Sequence, residues 1–194
     1  MVSRAKGTSL VTPEHGTDTR SRIQSAALEL FIQQGFTATS LQQVADRVGV
    51  TKAALYYHFP SKSDLARSIF IPWKEDLDRF LDNAEANPHR PPRELISEAF
   101  DVLVRHREAF TAMMSDGSIL THVDLVTWTK EWADRLQRLF LGEDPSMYDR
   151  VRVSIAFGGL NDAIFLLGDA PVEVVKPAAI DAVCAAIGIE DDSR

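Results

Sequence analysis

Between Thr51 and Lys62 the chain sets out Thr51, Lys52, Tyr56, Tyr57, His58 and Lys62, two ammonium groups and four further hydrogen-bond donors within twelve residues. Such a set suits binding a polyanion better than making or breaking a bond. Lysines neutralise phosphates, while tyrosine and histidine add donors on flat apolar bodies. The patterns of bond chemistry are missing. There is no Gly-x-Ser-x-Gly elbow, no His-Glu-x-x-His, no phosphate-cradling glycine loop and no pair of cysteines. His15, His58, His89, His106 and His122 are scattered along the chain. No catalysis, metal or cofactor is expected.

The elements that must carry these residues are short helices. Leu41, Val44, Ala45 and Val48 recur at helical spacing, with Thr39 or Ser40 as the cap before them and Gly49 after. Thr51 caps a second helix that runs to about Phe59, and Pro60 stops it. Two short helices joined by a tight turn need a small residue at the crossing and a left-handed backbone in the turn, which Ala45 and Gly49 supply. Val44, Val48, Val50 and Leu55 stand where such a pair buries its contacts. This is the helix-turn-helix pattern, whose second helix enters the major groove N-terminus first, so Thr51, Lys52 and Ala53 meet the DNA first. A plain helical hairpin reproduces the same spacing. In that reading one tyrosine and Phe59 pack inward, and His58 is a surface or capping residue.

Charge distribution agrees with a DNA-facing end. The chain carries −7 overall, but residues 1–67 hold eight Lys/Arg against five Asp/Glu, leaving the remainder at −10. Arg4, Lys6, Arg20 and Arg22 are among the eight. Cys184 is the one cysteine, so no internal disulfide forms, and no apolar run approaches a membrane span. A soluble, cytoplasmic protein is expected, without a signal segment or membrane anchor.

The whole chain reads as all-α with about nine helices. Residues 1–17 lack periodicity and are expected to form a disordered arm; 18–65 form the helix-turn-helix domain and 66–190 a C-terminal helical domain. Helices are expected from Asp18 to Gly35, from Ser61 towards Asn87 with a kink at Pro72, and at 93–106, 108–114, 119–140, 147–168 and 172–187.

The run TSLQQVADRVGVTKAALYYHFPSKSDL, preceded by RIQSAALELFIQQGFTAT, resembles the N-terminal domain of the TetR (tetracycline repressor) family of bacterial transcription regulators. The likeness covers about residues 18–67. It departs from the commonest pattern at Ala53, usually Gly, and at Pro60, usually another residue. The resemblance implies a homodimer whose two recognition helices read a palindromic double-stranded operator in successive major grooves. Lys52 and Ala53 would then reach bases or adjacent phosphates, with Thr39, Thr51, Tyr57, His58 and Lys62 fixing the register on the backbone and Tyr56 beside them. Arg4, Lys6, Arg20 and Arg22 would add minor-groove or phosphate contacts from the arm.

It also implies that the last two helices pair with their symmetry mates. Ala156, Leu160, Ile164 and Leu167 make one apolar stripe, and together with Val183 they are the expected interface; burial inside one chain explains the stripe equally well. Gly158 and Gly159 would let another helix approach closely. An effector would lie in the middle of the C-terminal body. Phe100, Leu103, Phe110, Met113 and Met114, with Trp128, Trp132, Phe157 and Phe165, suit an apolar or aromatic molecule, Asn161 adding a polar contact. A repressor released by that effector is the expected function. The alternative is a helical ligand-binding or interaction module without DNA binding.

Overall fold

The computed structural model describes residues 15–168 and 170–189, which form ten α-helices and no strand. Residues 1–14 of the expected arm lie outside the described residues, whereas His15–Thr17 belong to the first helix, α1 (His15–Gln34). It is followed by α2 (Leu41–Val48), α3 (Lys52–His58) and α4 (Lys62–Ala86). The body continues with α5 (Pro92–Arg105), α6 (Arg107–Ser115), α7 (Ile119–His122), α8 (Val126–Leu141), α9 (Met147–Leu166) and α10 (Val172–Ile187). No helix among the described residues is long and apolar enough to cross a membrane.

The expected helix over 119–140 is divided in two. Asp124 takes φ 59° in the left-handed region, and the Leu125 N–H reaches back to the Leu120 carbonyl at 2.8 Å, closing α7 as a helix normally ends. Aspartate tolerates that backbone better than most residues. Its carboxylate is held by Arg67 at 2.5 Å. By contrast, α4 passes through Pro72 as one helix, about 37 Å long at 1.5 Å per residue.

That length matters because α4 crosses the expected domain boundary. Leu65 and Ala66 are both fully buried, and the helix packs on α1 of the head and on α5 and α8 of the body. Within the body α9 and α10 pack on each other and on α5, while α8 packs between α4 and α9.

Candidate nucleic-acid interface

Each helix of the head is started and stopped by its own sequence. Ser40 caps α2, accepting from the Gln43 N–H while the Gln43 side chain accepts from the Ser40 N–H. Gly49 closes it at φ 76°, and both Gly49 and Val50 N–H groups bond the Ala45 carbonyl. Thr51 then caps α3 by accepting from the Ala54 N–H at 3.1 Å. Val44, Ala45 and Leu55 are buried at the crossing, with Val48 and Val50 half-buried against them. The helix pair therefore fixes which side of α3 faces out.

That outer side carries Thr51, Lys52, Ala53, Tyr56 and Tyr57, all exposed, while Leu55 and Phe59 point in. Tyr57 is 86% exposed and Tyr56 42%. The Lys52 ammonium stands 5.7 Å from the Tyr56 ring, and half-buried His58 meets Tyr57 edge-on at 5.4 Å. Beyond these contacts with neighbours on the same helix, both tyrosines and Lys52 face outward. They have donors to offer a polyanion.

Four basic or polar residues expected to touch DNA are used differently. Thr39 is only 2% exposed, and its hydroxyl donates to the Gly35 carbonyl at 2.8 Å, so it ties the α1–α2 turn together. The Lys62 ammonium donates to the carbonyls of Phe36 and Thr39, each at 2.8 Å, and lies 4.3 Å over the Phe36 ring. Burial lowers its pKa, partly opposed by the Asp116 charge. Arg20 donates to the His58 carbonyl and covers the Phe59 ring, and Arg22 donates to the Val48 carbonyl. These guanidinium groups sit at the negative C-terminal ends of α3 and α2, where free carbonyls hold them. Arg4 and Lys6 lie outside the described residues.

One functional element escaped the sequence reading. The turn SDGS between α6 and α7 docks against the head: Asp116 Oδ2 accepts from the Thr37 N–H at 2.7 Å, and Thr37 Oγ1 lies 3.2 Å from Ser118 Oγ. Asp116 Oδ1 also accepts from the Ser118 N–H. The hydrogen bonds from Ser118 and Thr37 hold the Asp116 carboxyl well below the usual carboxylate range. Phe36 and His122 rings meet at 4.7 Å, and Arg67 reaches Asp124 beyond α7. The α6–α7 segment thus clasps the α1–α2 turn directly. Asp at the first position of a turn is a common signal, and nothing in its spacing announces a partner 79 residues away.

Residues 23–69 match the family described as bacterial regulatory proteins, tetR family. The regulator AcrR of Shigella flexneri is 46% identical over 59 residues, 30% of this chain and 27% of AcrR. Residues 23–69 are thus a TetR-family N-terminal domain. The chain's matches span between about a quarter and a half of the length of the first curated relatives. Likeness in fold extends further. A transcriptional regulator of Aquifex aeolicus VF5 superposes with a TM-score of 0.65 at 20% identity, covering 86% of this chain and 98% of that one. NalD, the secondary repressor of the MexAB-OprM multidrug efflux pump in Pseudomonas aeruginosa, superposes with a TM-score of 0.63 at 20% identity, covering 93% and 100%.

Beyond that domain, the expected interface stripe faces the other way. Ala156, Leu160 and Ile164 on α9, and Val183 on α10, are buried within their own chain; of the five, only Leu167 is exposed. Outward on α9 stand Val151, Ile155, Gly158, Gly159 and Leu166, with Val174, Ala178, Ala182 and Ala185 on α10. A Cβ at Gly158 or Gly159 would meet nothing within 4 Å, so their own chain does not require glycine there. The apolar residues of α9 thus stand on both its inner and its outer side, with the polar Ser154 and Asp162 among the outer residues.

The ten residues expected around an effector fall into separate contacts. Trp128 and Trp132 join Trp73 between α4 and α8; Phe157 meets Phe140; Phe110 meets Phe165. Leu103 is buried in the core, half-buried Met113 packs against it, and Met114 is exposed at the end of α6. The Asn161 amide donates to the Phe157 carbonyl on its own helix, and Phe100 borders a slot of about 20 Å³. A cavity of about 600 Å³ opens between the far ends of α4, α8 and α10 and the start of α5, but none of the ten lines it. Trp128 and Trp132 do line a smaller one, of about 260 Å³.

Proposed function

We propose that the chain is a cytoplasmic, sequence-specific DNA-binding transcriptional regulator, a homodimer that represses from a palindromic operator until a small ligand releases it. The outward set Thr51, Lys52, Ala53, Tyr56 and Tyr57 on a helix held rigidly over a buried crossing carries the reading. Lys52 and Ala53 take the base edges or adjacent phosphates, with Thr51, Tyr57 and His58 on the sugar-phosphate backbone. Thr39, Lys62, Arg20 and Arg22 shape the surface from behind. Residues 18–65 supply DNA binding and 66–190 dimerisation and ligand response. The similarity of the head to AcrR, and of the fold to the repressor NalD, supports both halves.

Dimerisation through the outer face of α9 and α10 would place two copies of α3 to read half-sites about 34–36 Å apart or a multiple of that spacing. Ligand response follows from the joint at Asp116. A ligand that prefers a displaced α6–α7 segment shifts the α1–α2 turn with it, and lowers operator affinity by its differential affinity for the two states.

Selection of bound fragments from the source genome, then titration of the best site at several salt concentrations, tests this. A palindrome bound orders of magnitude above random DNA is expected, with binding weakened by Lys52→Ala and Tyr57→Phe. Absence of any enriched fragment would favour an interaction module that does not bind DNA.

A further inference from the structure

The three tryptophans of the sequence gather in one place. Trp73 and Trp128 meet edge-to-face at 5.5 Å, and Trp128 and Trp132 lie 6.4 Å apart. Asp78 fixes the middle ring by accepting from its Nε1–H at 2.8 Å. Beside it opens the cavity of about 260 Å³, with Asp78, Asp82 and Glu131 on its wall against Lys74 and Arg135. Both cations are already committed: Lys74 to Asp78, and Arg135 to Asp82 and Glu85. Glu131 has no ion pair among the described residues. The wall is thus acidic after pairing, and faced with indole.

The Lys74 ammonium lies 5.6 Å over the Trp128 ring, so a positive charge is already drawn to this aromatic surface.

We propose that this cavity binds a small organic cation with a quaternary or tertiary ammonium head. Its positive charge lies on the faces of Trp128 and Trp132 near Glu131. The cavity lies between α4 and α8, and α4 runs from it to the head, so an incoming cation competes with Lys74 for Trp128 on the connecting helix. Use of this site to release DNA rests on the regulator reading; binding at the site does not.

Because all three tryptophans lie here, intrinsic fluorescence of the full-length protein reports this site without DNA. Choline and benzyltrimethylammonium should change the emission saturably, whereas 3,3-dimethylbutan-1-ol, the uncharged carbon isostere of choline, should bind about tenfold or more weakly. Calorimetry should show Glu131→Gln, an exposed and fold-neutral change, weakening both cations several-fold without affecting the alcohol. Trp132→Leu should weaken all three compounds. Equal binding of choline and its isostere, cation binding unchanged in both variants, or no saturable signal from either cation would each overturn the proposal. If both cations bind as described but leave operator affinity untouched, the site stands and its regulatory use fails.

Discussion

Removing the Asp116 carboxylate should loosen the joint between body and head. Asp116→Ala deletes the acceptor for the Thr37 N–H at 2.7 Å and for the Ser118 N–H at 3.1 Å. Hydrogen bonds to a charged acceptor contribute about 1.5–3 kcal/mol when shielded, and the half-exposed position of Asp116 argues for the low end, about 1–2 kcal/mol. For a chain of this size that lowers Tm by roughly 2–8 °C. Thermal melts followed by circular dichroism measure it. The pH dependence gives a second, independent check. The folded carboxyl lies below its usual range, so its contribution is complete above about pH 4 and fades as pH falls towards the folded value. The gap between wild type and Asp116→Ala should therefore narrow below about pH 4. Asp76 is likewise held below the usual range, first by its hydrogen bond with His106, but it is common to both proteins and cancels in the difference.

The same joint constrains Gly35. Its φ of +83° strains any side chain by about 1–2 kcal/mol, and a Cβ there would press on Asp116 Cβ at 3.2 Å and Oδ2 at 3.3 Å. Gly35→Ala and Asp116→Ala should then be non-additive, since each disturbs the other's contact. Operator affinity should fall in Asp116→Ala with its salt slope unchanged, because orientation is loosened while the phosphate contacts remain. Additive stabilities, together with a melting gap indifferent to acid, would refute the joint.

Lys52→Ala should reduce the salt slope of operator binding by about 1, whereas Lys62→Met should leave the slope alone and destabilise the fold by about 1–3 kcal/mol, because its ammonium satisfies backbone carbonyls; equal slopes in the two variants would reverse these roles. Tyr57→Phe should melt within about 0.5 kcal/mol of wild type, given its 86% exposure, yet bind the operator more weakly in titration. Ile155→Asp, on the outer face of α9 at 67% exposure, should sediment as a monomer with native helicity; a dimer that survives it places the interface elsewhere.

What was legible in the sequence was local. Caps, breakers and the small-residue crossing placed α2 and α3 within a residue or so, since Ser40, Gly49, Thr51 and Pro60 act on their own backbone. Contacts across the chain were not legible. Thr39, Lys62, Arg20 and Arg22 have the composition of DNA-binding residues, and only the fold reveals that backbone carbonyls of the α1–α2 turn and of the ends of α3 and α2 take them. The phase of α9 failed for a different reason. Periodicity identifies a buried face by contrast with a polar one, and Val151, Ile155, Gly158, Gly159 and Leu166 are as apolar as Val153, Ala156, Leu160 and Ile164 behind them. With no contrast, the stripe Ala156, Leu160, Ile164 and Leu167 reads equally well as a shared interface and as the chain's own core. Packing decides for the core: the larger side chains fill their own chain's core against α10 and α5, and the glycines remain outside, where a partner helix gains most by coming close. Ser154 and Asp162 are too few on that side to set the phase by contrast.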